Sequence, residues 1–318
     1  MKKQLFLFVL FLLAFFAVIA QPAYAPAYIS KAEKLLATIS NDSMGALQFP
    51  FTDSMRMKWE RLPGQRMGFK LAHFTEQQKI AFHELLRACL STQGYLTVTA
   101  VMFNEDIQQK FEPAIGRNEY WVEVFGRPAA NNLWSWKLEG HHLSLNFTFR
   151  GNKLLSNSPF LMSTNPANSI TDSVRAGLII LYKEEEMGRQ LVLSLNKTQL
   201  LQGYSSRKKT AIVYSEQNKE KIQVPDEGIF YKNLNKGQQA MAKALVAEYF
   251  NNFNAGEIPT LDSFWNSQLR FFYVESMEKG KPHYYRFENG AQMIEYENYD
   301  NHIHCFWRTD NDFAKKSL

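Results

Sequence analysis

A mixed α+β fold, with helices packed on an antiparallel sheet, is what this sequence predicts, and three features predict it. Thr75 and Asn235 each open a segment whose apolar residues recur at helical spacing. Residues 141–149 alternate apolar and polar side chains, the two-residue period of a half-buried strand. The aromatic C-terminal third divides into four strand-like runs, at 271–274, 283–287, 293–296 and 302–307.

The elements follow in order. Lys2 and Lys3 precede a charge-free apolar run from Leu5 to Ala20, which reads as an export signal cleaved after Ala20, with an uncleaved N-terminal anchor as the alternative. Residues 21–30 form an extended lead-in, and residues 31–318 a single α+β unit. A short helix is expected at 31–39, then an irregular stretch with Asp53, Arg56 and Trp59, and a turn at Pro63-Gly64. Thr75 and Gln78 fit a capping box, in which hydroxyl and amide satisfy orphan backbone donors of the first helical turn. Phe82, Leu85, Leu86 and Cys89 make that helix's inward stripe. Leu96, Ala100, Phe103, Ile107 and Phe111 recur at helical spacing and predict a second helix with those residues inward. Strands are expected at 120–125 and 133–138. Glu139-Gly140 then turns the chain into the strand at 141–149. Residues 151–172, rich in Asn, Ser and Pro, read as a long surface loop. A helix is expected at 173–194, interrupted near Gly188, and another from Asn235 with Met241, Leu245 and Tyr249 on one side.

Composition narrows the function. With 45% hydrophobic and 14% aromatic residues, a chain of 318 residues is globular and buries a large core. Removal of residues 1–20 takes two lysines and lowers the formal charge from +5 to +3. That is too little to argue for nucleic acid or a polybasic membrane patch, and no later segment is apolar enough to span a bilayer. Cys89 and Cys305 fall on apolar faces and read as buried free thiols, a single bridge being the alternative. A Gly-rich phosphate loop, a Gly-x-Ser-x-Gly elbow and a His-Glu-x-x-His helix are all absent.

One internal echo stands out. At an offset of 160, the segment 74–90 superposes on 234–250, with Gln78 over Gln238 and Leu85 over Leu245. The same offset lays His142 on His302. If the echo is structural, the chain comprises two related helix-then-sheet halves, 31–160 and 190–318, whose histidine strands are equivalent and meet at the axis between them.

Histidines carry the concentrated polar chemistry. In Asn301-His302-Ile303-His304, residues i and i+2 of a strand project together, so His302 and His304 share a face opposite Ile303, Cys305 and Trp307. Two such imidazoles, with His142 from the other strand, suit zinc or another divalent transition metal. His141, next to His142 on a strand, is expected to face away. Of the nearby acids, Glu295 is the first choice for activating water or fixing a tautomer. Arg308, of the same parity as His302 and His304, would orient an anionic group. Trp134 and Trp136 would line a groove for a small molecule or glycan. The plainer alternatives are histidines that only hydrogen-bond carboxylates at the sheet surface, and aromatic strands that are simply core.

These residues also carry a resemblance. Gly140-His-His-Leu-Ser-Leu-Asn146, the preceding Trp134-x-Trp136, Ile294-Glu-Tyr296, Asn301-His-Ile-His304, Trp307-Arg308 and Asn311-Asp-Phe313 resemble the exported family catalogued as domain of unknown function thirty-five hundred. Phe51-Thr-Asp53, Arg56, Trp59 and Pro63 fit it too, so nearly the whole mature chain is covered. Ala314 departs from it, standing where Gly is expected. No activity is attached to the family, so the resemblance implies no catalytic residue.

Three functions follow as expectations: an exported metal-dependent hydrolase using His142, His302, His304, Glu295 and Arg308; a non-enzymatic exported module that captures a metal or glycan; and a metal-free enzyme with a histidine–carboxylate pair. Export is tested directly. The mature protein should begin near Gln21 and be recovered outside the cytoplasm, and intact-mass measurement of a cytoplasmic product retaining Met1 would overturn the signal.

Overall fold

The computed structural model describes residues 27–170, 172–207, 214–215, 224–254 and 261–310. The expected export signal, most of the expected lead-in, and Asp312, Phe313 and Ala314 lie outside the described residues. Within those residues no helix is long and apolar enough to cross a membrane.

The helices among the described residues are α1 (Tyr28–Leu36), α2 (Asn41–Leu47), α3 (Glu76–Cys89), α4 (Thr92–Gln108), α5 (Tyr182–Leu193), α6 (Lys197–Gly203), α7 (Lys236–Phe250) and α8 (Leu261–Phe264). The strands are β1 (Gln48–Phe49), β2 (Phe69–Lys70), β3 (Tyr120–Phe125), β4 (Leu133–Gly140), β5 (Leu143–Arg150), β6 (Lys153–Ser156), β7 (Phe160–Thr164), β8 (Tyr204–Ser205), β9 (Ile229–Phe230), β10 (Arg270–Glu275), β11 (His283–Glu288), β12 (Gln292–Asn298) and β13 (Ile303–Thr309). All thirteen strands among the described residues belong to one mostly antiparallel sheet, in the order β1-β3-β4-β5-β7-β13-β12-β11-β10-β8, with β2, β6 and β9 paired beside this path. The class is the expected α+β.

The sheet path reads alike from either end. β1 runs parallel to β3 as β8 does to β10, and the two runs meet where β7 pairs with β13. Capping boxes open α3 at Thr75/Gln78 and α7 at Asn235/Gln238. Each glutamine amide also reaches a helix packed alongside: Gln78 Nε2 donates to the Thr38 carbonyl (3.0 Å) just past α1, and Gln238 Nε2 to the Ser194 carbonyl (2.7 Å) at the end of α5. The helices thus follow the 160-residue offset, but the histidines do not. His142 sits in the β4–β5 turn, whose counterpart is the β11–β12 turn, whereas His302 leads into β13, the counterpart of β7. The two histidines face each other across the seam without being equivalent positions.

Three expectations need correction. Residues 151–172 are not one loop, because β7 occupies the middle of the sheet. Pro159 and Pro166 stand outside its two ends, where they cost no ladder hydrogen bond. Helix α4 forms, but its buried face is Gly94, Val98, Val101, Met102, Asn104 and Glu105, while Leu96 and Phe111 are exposed. Helix α5 begins only at Tyr182 and continues through Gly188. A Cβ on Gly188 would lie 2.3 Å from the Tyr285 ring, so glycine there lets the helix approach the sheet.

The helix-side face of the sheet holds the main core, including Trp134, Trp136, Leu145, Phe147, Phe160, Tyr285, Tyr296, Cys305 and Trp307. Cys89 and Cys305 are both free and buried. The opposite face is polar yet also buried. Lys137 Nζ donates to the Met55 and Lys58 carbonyls (3.0 Å each), and Trp59 packs edge-on to Phe306, so residues 55–59 cover part of it.

Two substitutions test this packing. Gly188→Ala should destabilise by roughly 1–3 kcal/mol through overpacking, although alanine favours an isolated helix by about 1 kcal/mol. Thr75→Ala should cost about 1 kcal/mol through the lost cap. Denaturant melts measure both, and a stabilised Gly188→Ala variant would contradict the close contact with Tyr285.

Candidate functional site

Two tight turns at one end of the sheet carry the histidines. His141-His142 joins β4 to β5, with His142 at φ 67°, a left-handed conformation that histidine tolerates better than most non-glycine residues. The β12–β13 hairpin is closed by reciprocal backbone bonds between Tyr299 and His302, with Asp300 and Asn301 both at positive φ. That is the two-residue turn whose twist matches the flanking strands. Because β7 lies between β5 and β13, it brings these turns together.

His142 Nε2 lies 2.9 Å from His302 Nε2. The ring centroids of His302 and His304 are 4.5 Å apart, and those of His142 and His304 6.3 Å. One potential ligand atom from each of the three lies within 4.8 Å of the others. Nitrogens around a bound tetrahedral ion lie roughly 3–4 Å apart. His302 and His304 are partly exposed, while His142 is fully buried.

Glu105 on α4 organises the first turn. Its Oε1 accepts from His142 Nδ1 at 2.6 Å and its Oε2 from His141 Nδ1 at 2.8 Å. His141 therefore does not face away. Its ring stacks on His142 with centroids 3.6 Å apart, because the pair forms a turn rather than the start of a strand. Glu105, His141 and His142 make a second trio of the required spacing. Across the seam, Glu297 Oε2 accepts from His304 Nδ1 at 3.0 Å. A carboxylate on Nδ1 fixes the ring tautomer and directs Nε2 to other work.

Burial sets the charge states. It lowers His142 to about 4, against the bond from Glu105, and lowers His302 to about 2, helped by the neighbouring histidines. Both are neutral imidazoles at neutral pH, the form that ligates metals. Burial by itself would raise the Glu105 carboxyl, but the bonds from His141 and His142 prevail and hold it below the ordinary range.

The other sequence-derived candidates lie elsewhere. Glu295 is wholly buried and accepts from the Tyr214 and Ser215 backbone N–H groups (2.8 and 2.6 Å) and the Tyr284 hydroxyl (2.6 Å). It stands opposite Phe306, two cross-strand pairs beyond the Glu297–His304 pair. Arg308 shares the face of His304 but lies four residues along the strand, about 13 Å away, opposite Met293. Trp134 stacks on Phe149 and Trp136 on Phe147, and both rings are buried in the helix-side core.

Sequence reasoning missed Glu105 and passed over Glu297, one of the acids beside the C-terminal histidines, in favour of Glu295. Glu297 was accessible by counting: with Asp300-Asn301 as the turn, 299 pairs with 302, 298 with 303 and 297 with 304. Glu105 was hidden because the wrong face of α4 was taken as buried. A third omission is the Lys137 ammonium, enclosed between Glu123 (3.0 Å) and Glu139 (3.2 Å) on the polar face. Burial pushes both carboxyls upward despite the lysine.

No curated protein and no solved structure matches this chain. A family model described as protein of unknown function (DUF3500) matches residues 22–315, nearly the full length and both histidine motifs. The chain belongs to the DUF3500 family of proteins of unknown function.

Proposed function

We propose that this protein is an exported metal-dependent hydrolase whose ion is held by His142, His302 and His304. The observation that supports it best is the pairing of two of these imidazoles with carboxylates. His142 is held through Nδ1 by Glu105 and His304 through Nδ1 by Glu297, with His302 Nε2 2.9 Å from His142 Nε2. Histidine ligands held through Nδ1 by carboxylates are a common construction of zinc sites, and three protein ligands leave a position for water. A bound ion would supply Lewis acidity and acidify that water. The chain's own residues supply the neutral ligands, fix their tautomers and keep His142 dry. Export rests on the leader-like residues 1–20, and a small-molecule substrate on the partial exposure of His302 and His304. A metal-binding module without turnover would use the same ligands, and turnover separates the two readings.

Purified protein should carry close to one transition-metal ion per chain by elemental analysis. His302→Ala and His304→Ala should abolish that stoichiometry, His141→Ala should retain it, and Glu105→Gln should weaken binding by about 10–100-fold. Hydrolysis of some member of an ester, phosphate and glycoside panel should be lost to a chelator and restored by zinc. A fully folded protein that binds no ion would overturn the metal reading. Bound ion without turnover would favour the module.

Metal-stripped protein should also show a defined acid limb. In the folded state His142 and His302 resist protonation, whereas the unfolded chain takes up these protons below about pH 6.5. Their contribution to stability is therefore complete above about pH 6.5 and is lost as pH falls toward 4, by up to about 1.4 kcal/mol per pH unit for each group. Denaturant melts between these limits should show a shallower slope for His142→Gln. An unchanged slope would mean that His142 is not held neutral by the fold.

A further inference from the structure

The strand between the two histidine turns carries a serine, Ser163, level with them. The Ser163 backbone N–H donates to the His142 carbonyl at 2.8 Å, and Ser163 is the direct cross-strand partner of His304, which in turn pairs with Glu297. Directly opposed residues of antiparallel strands share a face. Ser163, His304 and Glu297 thus form one row across the sheet, with the His142 backbone bonded at its end. Neighbouring strands lie about 4.8 Å apart, so the two histidines flanking Ser163 begin about 10 Å apart. Their ring centroids are only 6.3 Å apart, so the two rings converge across the strand that carries Ser163. A small residue is what permits this convergence.

Size alone does not account for the hydroxyl. Ser163 is 0% exposed, and its Oγ finds no hydrogen-bond partner among the described residues. A buried hydroxyl without a partner costs about 1–3 kcal/mol, whereas alanine would fill the same space without that cost. We propose that Ser163 Oγ is the positioning group for the water or hydroxide that completes the coordination of the ion, donating its proton to that oxygen. This rests on the metal reading above. It adds a fourth side chain to the site, one that touches the reactive oxygen and not the ion.

Cobalt(II) in place of the native ion tests it, because its visible bands report both coordination and ionisation of the bound water. Ser163→Ala should still take up one cobalt per chain, since all three imidazoles remain. The pH at which its bands change on ionisation of the bound water should rise by about one unit, the equivalent of one lost hydrogen bond to a charged oxygen. Ser163→Thr, which keeps the hydroxyl, should return the transition toward that of the original protein. An unshifted transition in Ser163→Ala with cobalt bound would overturn the serine's role and leave the metal site standing. Loss of cobalt in Ser163→Ala but not in Ser163→Thr would make the hydroxyl a direct ligand and overturn the intervening water. Failure of the unsubstituted protein to bind cobalt would remove the metal reading and this proposal with it.

Discussion

Glu105 is 1% exposed, and a carboxylate so buried must find strong donors or give up its charge. Its donors are the Nδ1–H groups of His141 and His142, and much of the local structure follows from supplying them. Helix α4 has to dock with its Glu105 face inward, leaving Leu96 in solvent. The β4–β5 turn has to place two successive rings on one side, which His142 achieves by adopting a left-handed backbone. The outcome is an imidazole with Nδ1 committed, Nε2 directed at His302 and no room to rotate.

The second requirement is that two hairpin ends distant in sequence reach the same place. Strand β7 meets it by pairing with β5 on one side and β13 on the other. Neighbouring α4 residues hold the end of β7 in position: Asn104 Nδ2 donates to Thr164 Oγ1 (3.0 Å) and the Pro166 carbonyl (2.7 Å). One helix therefore both supplies the carboxylate and anchors the strand under the site.

The sheet has two buried faces of opposite character. On the helix side, aromatic and aliphatic side chains pack as an ordinary core. On the other, Lys137 with Glu123 and Glu139, and Glu295 with Tyr284, engage chain segments laid over them. Buried ion pairs of this kind add little net stability, since desolvation offsets most of their attraction, but removing one partner is costly. Their evident effect here is positional: Lys137 binds the carbonyls of Met55 and Lys58, and Glu295 the backbone of Tyr214 and Ser215, so each cluster fixes a covering segment.

Local chemistry in the sequence determined the parts that depend on near neighbours. Capping boxes at Thr75 and Asn235, period-two alternation after His142, and the shared face of His302 and His304 all follow from residues within a few positions of one another. The convergence of His142 with His302 and His304 was also expected, though from a repeat that the sheet does not follow at those positions. Tertiary structure decided the rest. β7 looked like loop because Asn, Ser and Pro are turn formers in isolation, and only pairing on both edges makes it a central strand. Trp134 and Trp136 became core because helices cover their face. Glu297 replaced Glu295 at the histidines because hairpin register, not acidity, selects the partner. Glu105 entered the site because burial of a helix face is settled by what packs on it, and no spacing rule encodes a carboxylate that two imidazoles 36 and 37 residues away will satisfy.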